Sequence, residues 1–437
     1  MASGTSTRLR RELVQALREQ GHLRDDRVAA AFEAVPRELF LAEHAQRHGL
    51  AAVYRDEPIV TRRDAAGTPL SSSSQPAIMA RMLEMLGVRP GQRVLEIGAG
   101  TGYNAALLAH LVSEEGTVVS VDVDADTAVA ARRALLTAGA GARVEVGDGA
   151  RGWPPGAPYD AVIATASTEA VPRAWFDQLR PGGTLVVPLR LSTVVFWLQA
   201  VVAFRKGANG FVSTAATGGG FMALRPGPDA DPQAVARPTR LVAGEVADPR
   251  RDRVLLEIAG PALAGLDRSD RQRLITTALG FGRTRDLPLR GASPHALMTW
   301  VALALPEQRQ VEVSRGGPRS TTARQALGVV DVADGSLALL VPAAGLGGGV
   351  RLVAHGGRGA ERAVLAAVER WHLAGRPGIA EARFTIRYGA VRPHGWYSAR
   401  RGDQWLALDW VAARRRGPAA AGAGPGPVAA ARGDAAR

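Results

Sequence analysis

The sequence predicts an α/β fold, a doubly wound and mostly parallel sheet, with a second, smaller α+β domain behind it. Three observations carry this expectation. Apolar strands and helices alternate from about residue 94 to residue 190. The strand Val94–Ile97 runs into a loop with glycines at Gly98, Gly100 and Gly102, and a helix rich in Ala and Leu follows. A second apolar strand ends in Asp122, about twenty residues past the last glycine, where an acid is placed to accept hydrogen bonds from a ribose diol.

The elements follow in order. Thr7–Gln20 reads as a helix, with Leu9, Leu13, Val14 and Leu17 at helical spacing. A second helix, Asp26–Ala34, leads into Val35-Pro36-Arg37-Glu38-Leu39-Phe40. After a polar loop, Ser71–Gln75 precedes Pro76, and Ala77–Leu86 reads as helix, since proline suits the first helical turn. The alternating region then offers strands at Val94–Ile97, Val118–Val121, Arg143–Val146, Ala161–Ala164 and Thr184–Val187. Its helices fall near Tyr103–Leu111, Ala125–Thr137 and Arg173–Leu179. Thr193–Phe204 and Phe211–Thr214 flank a Lys-Gly-Ala-Asn-Gly turn, the pattern of a hairpin that adds an antiparallel edge to the sheet.

Arg225–Pro238 is a proline-rich linker, so residues 1–228 are expected to form the first domain. Residues 229–411 form the expected accessory domain. It has strand-like runs at Val254–Ile258, Gln310–Val313, Ala338–Val341, Val350–Val353, Ala382–Tyr388 and Trp405–Val411, and a helix at Arg358–Leu373. Residues 412–437 are Ala, Gly, Pro and Arg without periodicity, the composition of a disordered tail.

Bulk properties exclude several classes of function. There is no cysteine, hence no thiol nucleophile, disulfide or thiolate metal site. His44, His48 and His110 show no paired metal spacing, and no metal is expected. No apolar run is long enough to span a membrane, and the first residues lack the apolar core of a signal peptide. A cytoplasmic protein with no membrane partner is expected. The net charge of +13 is carried by scattered arginines, with Lys206 the single lysine. No aromatic-basic stacking motif accompanies them, so nucleic acid is not an expected partner.

The ligand can be narrowed further. Dinucleotide folds set a pyrophosphate over the helix that follows the glycine loop. Here Glu96 stands just before that loop, where it would repel a pyrophosphate and attract an ammonium group. S-adenosylmethionine carries an ammonium and a sulfonium and no phosphate. Asp148, between Gly147 and Gly149 after the third strand, is placed to accept from the adenine amino group. Glu96, Gly98, Gly100, Gly102, Asp122, Asp148 and Gly149 are therefore the expected cofactor-binding residues. Tyr103 either packs on the cofactor or belongs to the core.

Over roughly residues 7–224 the chain resembles the protein-L-isoaspartate O-methyltransferase family, whose catalytic fold is the Rossmann-like class I methyltransferase. The matching segments run in family order. They include Val35–Phe40, Tyr54-Arg55-Asp56-Glu57-Pro58, Ser74-Gln75-Pro76, Val94–Tyr103, Gly147-Asp148-Gly149, Tyr159–Ala166, Pro181-Gly182-Gly183 and Val187-Pro188. The resemblance implies methyl transfer from S-adenosylmethionine to the α-carboxylate of an L-isoaspartyl residue in a peptide or protein. Ser74 corresponds to the family's active-site serine, which would position the carboxylate and not act as a nucleophile. Ser72 and Gln75 would help to position the substrate. The ester would then collapse to a succinimide when the neighbouring backbone nitrogen attacks, which is the route of protein repair.

There are departures. The isoleucine expected before the active-site serine is Ser73, which implies a more polar cleft. Thr193–Phe204 is more apolar than the edge of such a sheet requires, and a glycine run, Gly218-Gly219-Gly220, precedes Phe221–Leu224. The added domain resembles the C-terminal part of extended actinobacterial relatives, some of which esterify a chosen aspartate in a ribosomally made peptide to give an aspartimide. Tailoring of one such peptide is therefore the alternative activity. A non-catalytic S-adenosylmethionine-binding module is the alternative of another class. The added domain either recognises substrate or serves as a structural or dimerising appendage.

Overall fold

The computed structural model describes residues 4–65, 67, 69–227, 240–248, 251–264, 266–316, 324–342 and 349–410. The expected tail 412–437 and residues 228–238 of the expected linker lie outside the described residues. At the N-terminal end, α1 (Gly4–Glu19) and α2 (Asp26–Ala34) pack on each other. The Asp25 carboxylate starts α2 by accepting from the N–H groups of Arg27 and Val28. A 3₁₀ turn at Arg37–Phe40 leads to the short helices α3 (Ala42–His48) and α4 (Leu50–Val53). The polar stretch before the next helix is ordered as an antiparallel hairpin of β1 (Ile59–Arg63) and β2 (Pro69–Ser73). Pro76 opens α5 (Pro76–Leu86).

The alternating region contains β3 (Arg93–Ile97), α6 (Tyr103–Val112), β4 (Thr117–Asp122), α7 (Ala125–Ala138) and β5 (Ala142–Val146). It continues with β6 (Tyr159–Ala164), α8 (Arg173–Gln178), β7 (Leu179–Arg190), β8 (Gln199–Lys206) and β9 (Gly210–Gly218). The parallel strands lie in the order β7-β6-β3-β4-β5. The chain order reverses between β3 and β6, and the crevice beyond the carboxyl ends of these strands is where open α/β sheets bind ligands. The core strands are buried on both faces, as Val94, Leu95 and Ile97 of β3 illustrate.

Two expectations change at the far side of this sheet. The strand expected from Thr193 begins at Gln199, because the Ser192 hydroxyl accepts from the N–H groups of Val194 and Val195 and turns the chain there. The β8–β9 hairpin is not an edge. Strand β9 pairs with β17 (Ala382–Tyr388), and the sheet runs on through β19 (Gln404–Trp410) to β18 (Tyr397–Arg401), ten strands in all. This accounts for the apolar character of β8, whose residues from Gln199 to Phe204 are all buried.

A second, seven-stranded sheet has the order β10-β11-β13-β14-β15-β16-β12. It comprises β10 (Arg240–Asp248), β11 (Arg251–Ala259), β12 (Arg283–Leu287), β13 (Gln310–Gly316), β14 (Arg324–Asp331), β15 (Ser336–Pro342) and β16 (Val350–His355). Helix α9 (Arg268–Leu279) covers one face. On the other side, α10 (Pro294–Ala304) and α11 (Gly359–Leu373) share a core with the first sheet. Every residue of α10 from Ala296 to Ala304 is buried, as a helix that is apolar all round demands.

By sequence, residues 229–411 form a single accessory domain, but sheet membership divides them differently. The last three strands belong to the first sheet, because β9 offers a partner edge and an apolar face. Phe176 packs against Phe211 and Tyr388, while Gln404 and Tyr388 hydrogen-bond the backbone of Val171. A bare β9 would leave its backbone groups unpaired.

Candidate active site

A cleft of about 580 Å³ opens at the carboxyl ends of β3, β4 and β6. Three segments wall it. They are the glycine loop, the serine run on β2 with the start of α5, and the stretch from Thr217 to Arg225.

The glycine loop is shaped by contact. Gly98 has a φ of +96°, and a Cβ there would fall 2.5 Å from the Thr165 hydroxyl. That hydroxyl donates to the carbonyls of Ile97 and Gly98 at 3.0 and 2.7 Å, bracing the turn from β6. The serine run lies directly over the loop: the Ser72 carbonyl is 3.4 Å from where a Cβ of Gly100 would stand. Glycine loop and serine strand are thus adjacent.

Two acids line the cleft beside the glycine loop. Glu96 is fully buried, its oxygens accepting from Asn104 Nδ2 at 2.7 Å and from the Ser120 hydroxyl at 2.5 Å. Burial lifts its carboxyl to about 7, although the two hydrogen bonds pull it down. Asp122, at the end of β4, accepts from Gly100 N at 3.1 Å and from Asp124 N at 3.0 Å. A carboxylate has about four acceptor positions, so Asp122 keeps capacity for a diol. Arg225 Nη2 stands 3.8 Å from Asp122, at the cleft rim.

The cleft therefore brings together Glu96, Gly98, Gly100, Asp122 and Gly149 with Ser72, Ser74 and Gln75. Four expected residues take other places or other partners. Gly102 is outside the cleft lining, and its missing side chain lets Ala131 of α7 come within 3.3 Å of the Cβ position. Tyr103 reaches the inner wall, but its ring packs on Phe32 and Phe40 and is almost wholly buried in the core. Asp148 is also outside the lining. Its carboxylate caps the turn Gly149–Arg151 by accepting from Ala150 N, and Gly227 lies against it. Gln75 donates to the carboxylate and the carbonyl of Asp56, at 2.8 and 3.1 Å, which ties the serine turn to the loop after α4. Ser73 is part of the cleft lining, and its buried hydroxyl accepts from Arg37.

Sequence reasoning missed Thr165, Asn104, Ser120 and Arg225. The first stands in a quoted motif, and the next two sit on the core faces of their elements. Arg225 falls at the start of what reads as linker. Among the described residues no cluster of three or more His, Cys, Asp or Glu side chains could hold a metal.

A doubly wound sheet, a glycine loop with an acid beneath it and a further acid at the end of the next strand define an S-adenosylmethionine-dependent methyltransferase. The sequence profile of Protein-L-isoaspartate(D-aspartate) O-methyltransferase (PCMT) matches residues 8–222. A protein-L-isoaspartate O-methyltransferase of Methanopyrus kandleri is 40% identical over 184 residues, covering 42% of this chain and 77% of that protein. One of Methanoculleus marisnigri is 42% identical over 191 residues, covering 43% and 80%. A solved protein-L-isoaspartate O-methyltransferase structure superposes with a TM-score of 0.48 at 24% identity, over 92% of this chain and 99% of that one. The chain belongs to the protein-L-isoaspartate O-methyltransferase family.

Proposed function

We propose that this protein transfers the methyl group of S-adenosylmethionine to the carboxylate of isoaspartyl residues in peptides or proteins. Family membership and the direct overlap of the serine run with the glycine loop carry this reading.

The cofactor fits the residues present. Gly98 and Gly100 put bare backbone on the cleft lining, Asp122 has acceptor positions for the ribose hydroxyls, and Glu96 supplies negative charge on the side where cationic groups would lie. When bound, S-adenosylmethionine supplies an electrophilic methyl on a sulfonium. The rest is positioning. The acceptor is a carboxylate, already ionised at neutral pH, so no general base is needed. The Ser74 hydroxyl donates to one carboxylate oxygen and leaves the other free to point at the methyl. Ser72 gives a second hydroxyl along the same strand. Holding the oxygen in line and excluding water lowers the barrier. Attack of the following backbone nitrogen on the ester then expels methanol and closes the succinimide, with no further group required.

The seven-stranded sheet with α9, α10 and α11 forms an accessory unit in this reading, with the last three strands completing the catalytic sheet. A cytoplasmic setting is also part of it. The chain has no cysteine, and among the described residues no helix is long and apolar enough to cross a membrane. The partner is a peptide or protein, with neither nucleic acid nor membrane involved. Tailoring of one dedicated aspartyl peptide is the second reading, favoured by the second sheet that follows the matched region. Incubation with methyl-labelled S-adenosylmethionine and an isoaspartyl peptide should yield base-labile label. Labelling confined to a constrained normal aspartyl peptide would favour tailoring, and no label on either would leave a binding module.

A further inference from the structure

Arg37 begins the 3₁₀ turn Arg37–Phe40, in a motif to which the proposed mechanism gives no task. Its side chain is fully buried. One terminal nitrogen donates to the carbonyls of Val53 at 3.0 Å and Arg55 at 3.4 Å. The other donates to the Ser73 hydroxyl at 3.2 Å and to the Ser74 carbonyl at 3.0 Å. All four acceptors are neutral; among the described residues no carboxylate is in ion-pair contact with it, and Asp56 offsets its charge from a longer distance. From the far side of the same turn, Asp56 accepts from Gln75 Nε2 and from Ala77 N, each at 2.8 Å. The acceptor serine is thus clamped between a buried cation and a half-buried carboxylate.

A merely structural donor at this place would not need a charge. Burying a cation whose hydrogen-bond partners are all neutral costs far more than a net hydrogen bond returns, and burial pulls the Arg37 pKa down from its ordinary value. Guanidinium nevertheless stays protonated in proteins. The charge sits in a low-dielectric wall, where its field is weakly screened. Across the serine strand lies the cleft, and the methyl acceptor must enter it as an anion.

We propose that Arg37 is a positioning residue whose buried cation, hydrogen-bonded to neutral groups alone, draws the acceptor carboxylate to Ser74 and fixes the Ser73–Ser74 backbone that orients it. This rests on the carboxylate-methylation reading. The Ser73 hydroxyl, where the family resemblance leads one to expect isoleucine, adds one more acceptor for the guanidinium.

The test compares the full-length wild type with Arg37→Gln, Arg37→Lys and Ser73→Ala. Each is assayed with an isoaspartyl peptide and with its neutral isoasparaginyl analogue as a competitive inhibitor. S-adenosylmethionine affinity, followed by calorimetry, reports folding of the donor half. Arg37→Gln should raise the peptide KM about tenfold or more and leave S-adenosylmethionine affinity within about twofold. Arg37→Lys, which keeps the charge, should recover most of that loss, and Ser73→Ala should stay within about threefold of wild type. The wild type should prefer the isoaspartyl peptide over the neutral analogue by about tenfold, and Arg37→Gln should bring the two near parity. Equal losses in Arg37→Lys and Arg37→Gln, or an unmoved KM in Arg37→Gln, would overturn the proposal. Should Arg37→Gln not fold, equal binding of the two peptides by the wild type overturns it alone. A wild type that methylates no isoaspartyl peptide refutes the functional reading instead, which keeps the two failures apart.

Discussion

Replacing Glu96 by glutamine separates the cost of a buried charge from its use. The Glu96 carboxyl is raised from 4.5 to about 7, first by burial and then by the nearby Asp122, against the pull of Ser120 and Asn104. The folded chain therefore keeps this proton at pH values where the unfolded chain has lost it. Stability on this account is greatest below pH 4.5, falls as pH rises from 4.5 to about 7, and is level above. A rise of that size is worth about 3 kcal/mol. Glutamine fits the same partners. Its carbonyl accepts from Asn104, its amide donates to Ser120, and the Ser120 hydroxyl turns from donor to acceptor. Glu96→Gln should thus be more stable than wild type by up to about 3 kcal/mol at pH 8 and about equal to it at pH 4.5, read as urea midpoints at the two pH values. The same variant should bind S-adenosylmethionine about tenfold more weakly at pH 8, having lost the negative charge on the donor side. It should also lose the proton release that accompanies binding near pH 6, measured by calorimetry in buffers of different ionisation enthalpy. A stability gain that does not grow from pH 4.5 to pH 8 would refute the assignment of Glu96 as a buried, strained acid.

Three other perturbations follow from the geometry. Ser74→Ala removes one hydrogen bond to an anion and should lower kcat/KM for an isoaspartyl peptide about tenfold to a hundredfold, with S-adenosylmethionine binding intact by calorimetry. Asp122→Ala should do the opposite, raising the KM for S-adenosylmethionine about tenfold or more while sparing the peptide KM. Ending the chain after Gly227 removes β17–β19, which bares the β9 edge and the Phe176–Phe211 cluster. Size-exclusion chromatography should find that fragment aggregated, and a folded monomer would contradict the shared-sheet account.

The alternating region was legible in the sequence because its strands are short apolar runs punctuated by glycine, and its helices have clear starts. Asp124, for instance, caps α7 by accepting from Thr127 N. The hairpin β1–β2 has the sequence pattern of a loop, since a strand of Pro-Leu-Ser-Ser-Ser has no apolar alternation and is held instead by cross-strand pairing. Helix α10 was missed because a segment apolar on every side carries no period. The partner of β9 lies more than 160 residues downstream, as the pairing of Val212 with Thr385 shows, and no local pattern reports such a contact. At the site, the glycine loop and its flanking acids stood out as a motif. The bracing groups did not: Thr165, Asn104 and Ser120 act through contacts between elements, and Asp148 was placed by strand position although its carboxylate caps a turn.

The central claim is that the carboxylate of an isoaspartyl residue receives the methyl group. Its most direct measurement follows an isoaspartyl peptide by chromatography through repeated turnover with S-adenosylmethionine, with methanol release measured in parallel. The isoaspartyl peptide should be consumed, pass through succinimide and accumulate as the normal aspartyl form, with one methanol released for each succinimide formed. An isoaspartyl peptide left unchanged, while a normal aspartyl peptide is esterified under the same conditions, would contradict the claim.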